Sequence, residues 1–311
     1  MQKKYIFGHK NPDTDTVVSS IAYGEFLKAG GLDSEAVVLW NINNETKFLL
    51  DMFWFSAPNK VSALDSGTNV ILVDHSEDTQ TIDNIKDLDI VWLIDHHKFG
   101  CFSTSNPIYC RVEPIWSTAS VIAKIMREKG FVPNQKLARI MIWAIISDTL
   151  LFRSPTTTDE DKEIVSELNK IAMIQNLEDF AMQMFKAKSN LGDIPVKDLI
   201  KIDYKEFDFN WTKTGIWAIE TVDPDYSLNR KEEILEWLKY IKQENWLDLI
   251  YLCIIDILKE NNVTFVIWDE EAKVLNDIYW KSTSNNICDL WNVISRKKQI
   301  VPKFTDFFDK K

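Results

Sequence analysis

The chain has four histidines in 311 residues, and each of them lies in an acidic motif. His9 opens the run Gly8-His9-Lys10-Asn11-Pro12-Asp13-Thr14-Asp15-Thr16, a loop stiffened by Pro12. His75 follows Asp74 in Leu72-Val73-Asp74-His75-Ser76, and His96 and His97 follow Asp95 in Leu93-Ile94-Asp95-His96-His97-Lys98. A further acid, Asp148, sits in Ser147-Asp148-Thr149 at the end of an apolar run. Imidazole mixed with carboxylate suits Mn²⁺, Fe²⁺, Co²⁺ or Zn²⁺, and admits Mg²⁺. Each motif alone also reads as a capped turn, because Asp and Thr are good helix N-caps. The confinement of every histidine to such a motif favours one shared metal site. Two adjacent histidines after a strand point different ways, so one can hold a metal while the other faces a substrate. An acid beside a helix C-terminus is unfavourable unless a cation compensates it. The chemistry these residues suit is hydrolysis of a phosphoanhydride or phosphoester at a binuclear metal site.

Something must bring motifs more than a hundred residues apart into contact. Strand-like runs at 3–8, 36–40, 70–74 and 90–94 alternate with helical patterns at 16–29, 45–54, 117–129, 134–150, 158–173 and 176–188. That alternation predicts an α/β domain with a mainly parallel sheet. The first, third and fourth strands end directly in the motifs, and open α/β sheets bind ligands at those carboxyl ends. Ser, Asn, Gly, Asp and Pro cluster near 188–197 and mark a linker. Beyond it a hairpin (202–209, 214–222), a helix (226–244) and strands (248–258, 263–268) predict a second, smaller α/β domain. The expected division is 1–188, a hinge at 189–197, and 198–311.

Composition narrows the class. Net charge is −11, which argues against a general nucleic-acid binder. No stretch of 18 or more apolar residues occurs, so no membrane span is expected. The opening residues run straight into a strand-like stretch, so no signal peptide is expected. Cys101, Cys110, Cys253 and Cys288 have no paired spacing and read as reduced cytosolic thiols. Against the acidic total, Ser295-Arg296-Lys297-Lys298-Gln299 and Lys205 are basic; in company with a metal site they read as an anion clamp rather than a solvated tail.

Taken in order, GHKNPDTDT, VDHSE, IDHHK, SDTLLFRSPT and SRKKQIVP resemble the motifs of the family II inorganic pyrophosphatases, within the DHH phosphoesterase superfamily, over nearly the whole chain. The basic last motif separates this chain from the exopolyphosphatase and from the oligonucleotide and cyclic-dinucleotide phosphodiesterase branches, which stand as the alternative reading. The resemblance implies an N-terminal DHH domain with a mainly parallel sheet, a smaller C-terminal α/β domain, and an active site in the cleft between them. It implies that His9 and Asp13 hold one metal, that Asp15, His96 and Asp148 hold the other, and that Asp74 bridges the two. It implies His97 near the substrate phosphate, with Lys205, Arg296 and Lys297 gripping pyrophosphate; Asp95 and His75 orient the ligands from behind. Two Mn²⁺ or Co²⁺ ions per subunit are implied, with Mg²⁺ arriving on the substrate. A cytoplasmic homodimer joined through the N-terminal domain is implied as well. The reaction expected is hydrolysis of pyrophosphate to two phosphates by a water held between the metals.

Glycine is 9 and tryptophan 12 of the 311 residues. Counting every Trp as Gly brings the glycine share to the usual ~7%. Trp40, Trp116, Trp211, Trp217 and Trp291 stand where the family or turn chemistry calls for glycine, and Asn210-Trp211 occupies a hairpin position suited to Asn-Gly. These Trp are expected to be UGA codons that the source organism reads as glycine. If they are tryptophan, strain is expected near Trp116, Trp211 and Trp291.

Overall fold

The structure is a computed structural model that describes residues 2–100, 103–190, 192, 194–199 and 204–310. Cys101, linker residues 191 and 193, and the expected strand start at 202–203 lie outside the described residues. The chain divides into two units, Met1–Ala187 and Lys188–Lys311.

The first unit runs β1 (Lys4–Phe7), α1 (Thr14–Ala29), β2 (Ser34–Val38), α2 (Asn44–Met52), β3 (Asn59–Lys60), β4 (Asn69–Val73), β5 (Asp89–Asp95), β6 (Tyr109–Val112), α3 (Thr118–Glu128), α4 (Gln135–Thr149), α5 (Asp159–Ala172) and α6 (Leu177–Ser189). Its sheet has the order β3-β2-β1-β4-β5-β6, and every pairing is parallel. The chain starts at the middle of the sheet, winds outward to β3 and returns to lay β4 on the other side of β1. Strand order therefore reverses between β1 and β4, and a crevice opens there at the carboxyl ends. His9 follows β1 and Asp74 follows β4 directly, so both stand at that crevice.

Helix α1 explains how polar residues come to line it. Thr14 through Gly24 are all buried, so this helix is enclosed on every side rather than amphipathic. It packs against α3 and α4. A helix buried all round must find partners for its polar side chains. Thr14, Asp15, Thr16 and Ser19 find theirs among the site residues and the groups that hold them. Asp13 is its N-cap and accepts from the Thr16 N–H at 2.9 Å. Gly8 sets the spacing, since a Cβ there would lie 2.4 Å from Thr16 Cγ2 and 3.0 Å from the Val73 carbonyl oxygen.

The second unit contains α7 (Val196–Leu199), β7 (Tyr204–Phe209), β8 (Thr212–Thr221), α8 (Pro224–Leu228), α9 (Lys231–Glu244), β9 (Leu249–Asp256), β10 (Asn261–Phe265), α10 (Asp269–Tyr279), β11 (Thr283–Ser284), β12 (Ile287–Asp289) and α11 (Val301–Phe308). Its sheet, β11-β12-β10-β9-β8-β7, is mixed: β8 and β9 are parallel and the other pairs antiparallel. All eight residues of β9 are buried. The single helix expected over 226–244 is broken into α8 and α9 around Asn229 and Arg230.

The expected strain falls only partly where the sequence pointed. Trp211 is left-handed, at φ 69°, but Trp116 and Trp291 are not among the left-handed residues. Trp116 is tied down by hydrogen bonds from both its N–H groups, and beside Trp291 the left-handed residue is Asn292, which tolerates that backbone well. Trp217 lies inside β8, buried and stacked on Tyr204 at 4.1 Å, so no turn there requires glycine.

Candidate metal centre

Asp74 is the hub. It lies one residue past β4, is buried, and holds a left-handed backbone at φ 62°. That conformation is uncommon for a residue with a side chain and concentrates at functional positions. Its N–H donates to the Ile94 carbonyl at 3.0 Å, which anchors it to β5. Oδ2 accepts from the Thr16 hydroxyl at 2.5 Å and Oδ1 from the Thr118 hydroxyl at 3.0 Å. Around the same carboxylate stand His9 Nε2 at 3.6 Å, His96 Nε2 at 3.4 Å and His97 Nδ1 at 3.8 Å.

Three groups of donors result, each compact enough for one cation: His9 with Asp13 and Asp74; Asp15 with His96 and Asp148; Asp74 with His96 and His97. Within each, the ligand atoms lie within 4.8 Å of one another. His9 Nε2 stands 3.4 Å from Asp13 Oδ2. The first two groups share no residue, and Asp74 touches both through His9 and His96.

Asp15 is held most firmly. It accepts from the Thr118 N–H at 2.6 Å, the Ala119 N–H at 3.0 Å, the Ser117 hydroxyl at 2.8 Å and the Ser19 hydroxyl at 3.2 Å. Its carboxylate therefore sits on the N-terminus of α3, where free N–H groups and the helix dipole favour negative charge. Behind the histidines, Asp95 Oδ1 accepts from the N–H groups of His96 (2.7 Å) and His97 (3.0 Å) and faces His97 Nδ1 at 2.9 Å. His96 Nδ1 meets the Ile115 carbonyl at 3.1 Å, which leaves Nε2 for the site. Trp116 stands edge-on to His96 at 5.5 Å between ring centres, and its indole donates to the Asp148 carbonyl at 3.1 Å.

The electrostatics call for cations. Burial, then the nearby Asp74 charge, pushes the Asp15 carboxyl up to about 8. Burial opposes ionisation of Asp74 too, but the His96 hydrogen bond and the charges of His97 and His9 pull it far below the usual carboxylate range. Asp13 is half exposed, and although desolvation opposes its charge, His9 holds its carboxyl below the usual range. Burial drives His75 down to about 4, and its Nδ1 turns to the Val73 carbonyl at 2.9 Å. Three buried carboxylates, Asp15, Asp74 and Asp95, crowd this space, and such a site is short of positive charge. Nitrogen and oxygen donors in this mixture fit Mn²⁺ well.

The basic residues are in the second unit. Lys205 lies on β7, exposed, paired across the ladder with Ile216. Arg296 Nη1 donates to the Ile216 carbonyl at 3.3 Å, the residue of β8 that lies opposite Lys205 in the ladder. Arg296 and Lys297 open a π-helical turn, Arg296–Ile300, capped by Ser295. Gln299 Oε1 braces the approach, accepting from the N–H groups of Ile294 and Ser295 at 2.9 Å.

Sequence reasoning missed the hydroxyls. Thr16, Ser117 and Thr118 hold the two central carboxylates, and Glu45 accepts from Thr14 and Ser147 beside them. The one available signal was the small polar run Ser117-Thr118-Ala119-Ser120 opening a helix.

Comparison with known proteins agrees with this architecture. Residues 3–145 match the model of the DHH family, N-terminal domain, and residues 182–307 match the DHHA2 domain. A Deinococcus radiodurans protein named "Probable manganese-dependent inorganic pyrophosphatase" is 40% identical over 310 residues, covering 97% of this chain and 98% of that protein. A Listeria innocua protein of the same name is 40% identical over 311 residues, covering the whole of both. A solved structure from Methanococcus jannaschii, assigned to the family II inorganic pyrophosphatases, superposes with a TM-score of 0.83 at 37% identity, covering 98% of this chain and 99% of that one.

Proposed function

The chain belongs to the family II, manganese-dependent inorganic pyrophosphatases, a metal-dependent hydrolase of inorganic pyrophosphate, and we propose how its own residues divide that work. His9 and Asp13 hold one metal, Asp15, His96 and Asp148 the other, and Asp74 serves both. The observation that carries this reading is the position of Asp74, within 3.6 Å of His9 and of His96 at the strand-order reversal. Bound there, a metal pair supplies the Lewis acidity that makes water a nucleophile at neutral pH. Thr16 and Thr118 fix the rotamer of Asp74, and the α3 N-terminus fixes that of Asp15. Asp95 holds His97 through Nδ1 and leaves its Nε2 for the substrate phosphate. Lys205, Arg296 and Lys297 neutralise the phosphate oxygens, Arg296 through its planar fork.

The finer assignments belong to the same proposal: two Mn²⁺ or Co²⁺ per subunit, Mg²⁺ carried by pyrophosphate, and a cytoplasmic homodimer joined through the first domain. Domain limits of 1–188 and 198–311 with a hinge at 189–197 are part of it. Among the described residues no helix is long and apolar enough to cross a membrane. Phosphate release from pyrophosphate with Mn²⁺, compared with Asp74→Ala and Asp148→Ala, tests the assignment. Both variants lose activity if it holds; faster cleavage of an oligonucleotide or polyphosphate than of pyrophosphate overturns the choice of substrate.

A further inference from the structure

We propose that Glu45 is a positioning residue that locks together two arms of the metal centre. Glu45 is buried near the start of α2. Its Oε2 accepts from the Thr14 hydroxyl at 3.0 Å and from the Ser147 hydroxyl at 2.9 Å. Thr14 separates Asp13 from Asp15, and Ser147 precedes Asp148. One carboxylate oxygen thus ties the first turn of α1 to the last turn of α4, the two helix ends that must present Asp15 and Asp148 to the same ion. The Thr14 hydroxyl also meets that of Thr46 at 3.1 Å, and Asn43 caps α2 by accepting from the Thr46 N–H at 2.8 Å. The brace is therefore fixed from its own side. Groups that orient ligands in this way typically account for about 10–100-fold in metal affinity.

This inference rests on the metal reading, and calorimetric titration of Mn²⁺ into the metal-free protein separates the two. If Asp148→Ala leaves Mn²⁺ binding unchanged, the metal reading itself fails. If Asp148→Ala weakens it, Glu45→Ala is expected to weaken the Asp15–His96–Asp148 site about 10-fold or more. Glu45→Gln, which keeps one acceptor oxygen, is expected to recover most of that loss. Folded Glu45→Ala protein with Mn²⁺ affinity within about twofold of the parent overturns the brace. Should Glu45→Ala fail to fold, Ser147→Ala, which cuts one of the two links, carries the same expectation and the same refutation.

A separate observation concerns the tryptophans. We infer that positions 54, 211, 246 and 280 hold glycine in the protein as its own cell makes it, with UGA read there as glycine. All four are left-handed, at φ 55°, 69°, 54° and 53°, and their side chains are 82%, 90%, 86% and 87% exposed. The settings repeat those of true glycines in the same chain. After α3, Gly130 donates to Arg127 and Phe131 donates back to Met126; after α1, Gly31 donates to Lys28 and Leu32 to Leu27. After α2, Trp54 donates to Asp51 and Phe55 to Leu50; after α9, Trp246 donates to Gln243 and Leu247 to Lys242. This is one helix-ending motif, in which glycine is the ordinary residue at the left-handed position. Trp280 ends α10 in the simpler left-handed cap, with its N–H on the Asn276 carbonyl at 2.8 Å. Asn210 and Trp211 form the two-residue turn between β7 and β8, both at positive φ, where Asn-Gly is the preferred pair. Leu150 ends α4 in the helix-ending motif and Met173 ends α5 in the simpler cap, so bulky residues occupy such positions twice more; four occurrences in one rare residue type set the tryptophans apart.

Reading the four codons and sequencing the peptides of the protein from its source cells decides the matter. UGA codons with glycine peptides are expected; TGG codons or tryptophan peptides at these positions overturn the inference. In a recombinant chain carrying all twelve tryptophans, Trp54→Gly, Trp246→Gly and Trp280→Gly are each expected to raise Tm by about 2–4 °C. A fall in Tm for all three overturns the structural basis.

Discussion

The Thr16 hydroxyl donates to Asp74 Oδ2 at 2.5 Å, joining a helix start to a strand end 58 residues later in the chain. Thr118 makes the matching bond to Oδ1, so both oxygens of this carboxylate are aimed before any ion arrives. Thr16→Val keeps the shape and removes the donor. It is expected to lower kcat by about 10–100-fold, the effect usual for groups that orient a ligand. Thr118→Val is expected to match it, and steady-state kinetics at saturating Mn²⁺ check both.

Asp74→Asn is expected to lose more than the ~10²–10³-fold that follows deletion of one electrostatic partner, because in the proposed assignment this one residue serves both metals. Mn²⁺ titration followed by electron paramagnetic resonance should show both binding phases weakened. Weakening of one phase alone would count against a shared ligand.

Arg296 and Lys205 predict the opposite pattern. Neither lies among the metal-donor groups. Arg296→Lys keeps the charge but loses the fork, and Lys205→Ala loses the charge. Each is expected to raise KM for pyrophosphate by roughly tenfold, about 1.4 kcal/mol, while Mn²⁺ affinity stays unchanged. Loss of Mn²⁺ binding in either variant would contradict the division of labour.

The metal-free protein should carry two opposed pH dependences. Burial lowers His75 to about 4, below its ordinary 6.5, so unfolding takes up a proton there; that contribution is present above pH 6.5 and is lost as pH falls towards 4. Burial raises Asp15 to about 8, so folding keeps a proton there; that contribution is present below about pH 4 and is lost as pH rises through 8. Between pH 4 and 6.5 the two slopes oppose each other. Asp15→Asn is expected to leave stability rising with pH in that window, and His75→Gln to leave it falling. Thermal melts of the two metal-free variants check the signs.

How much of this was legible in the sequence depends on the kind of interaction. His9, Asp13, Asp15, Asp74, His96 and Asp148 announce themselves because rare ligand types follow apolar runs. The parallel sheet follows from alternation of those runs with helices. The strand order, which makes β1 and β4 neighbours, is decided by tertiary packing and left no local mark. Edge strand β6 was hidden because Tyr109-Cys110-Arg111-Val112 is short and half polar. The hydroxyls of Thr16, Ser117 and Thr118 were invisible for another reason: Ser and Thr are common at helix starts, and only distance separates a cap from a brace. The left-handed tryptophans were half visible. Composition gave the total, but only φ shows which positions demand glycine.

Every proposed metal ligand, from His9 to Asp148, belongs to the first unit, which ends at Ala187. On the ribosome, where domains fold in the order they emerge, the ion-binding half can therefore fold before Arg296 and Lys297, in the proposed phosphate clamp, have been translated. Acquisition of Mn²⁺ is then separated in time from acquisition of catalytic competence, and a nascent chain stalled after the whole first unit has emerged, but before Arg296, should already capture the metal while remaining harmless to pyrophosphate.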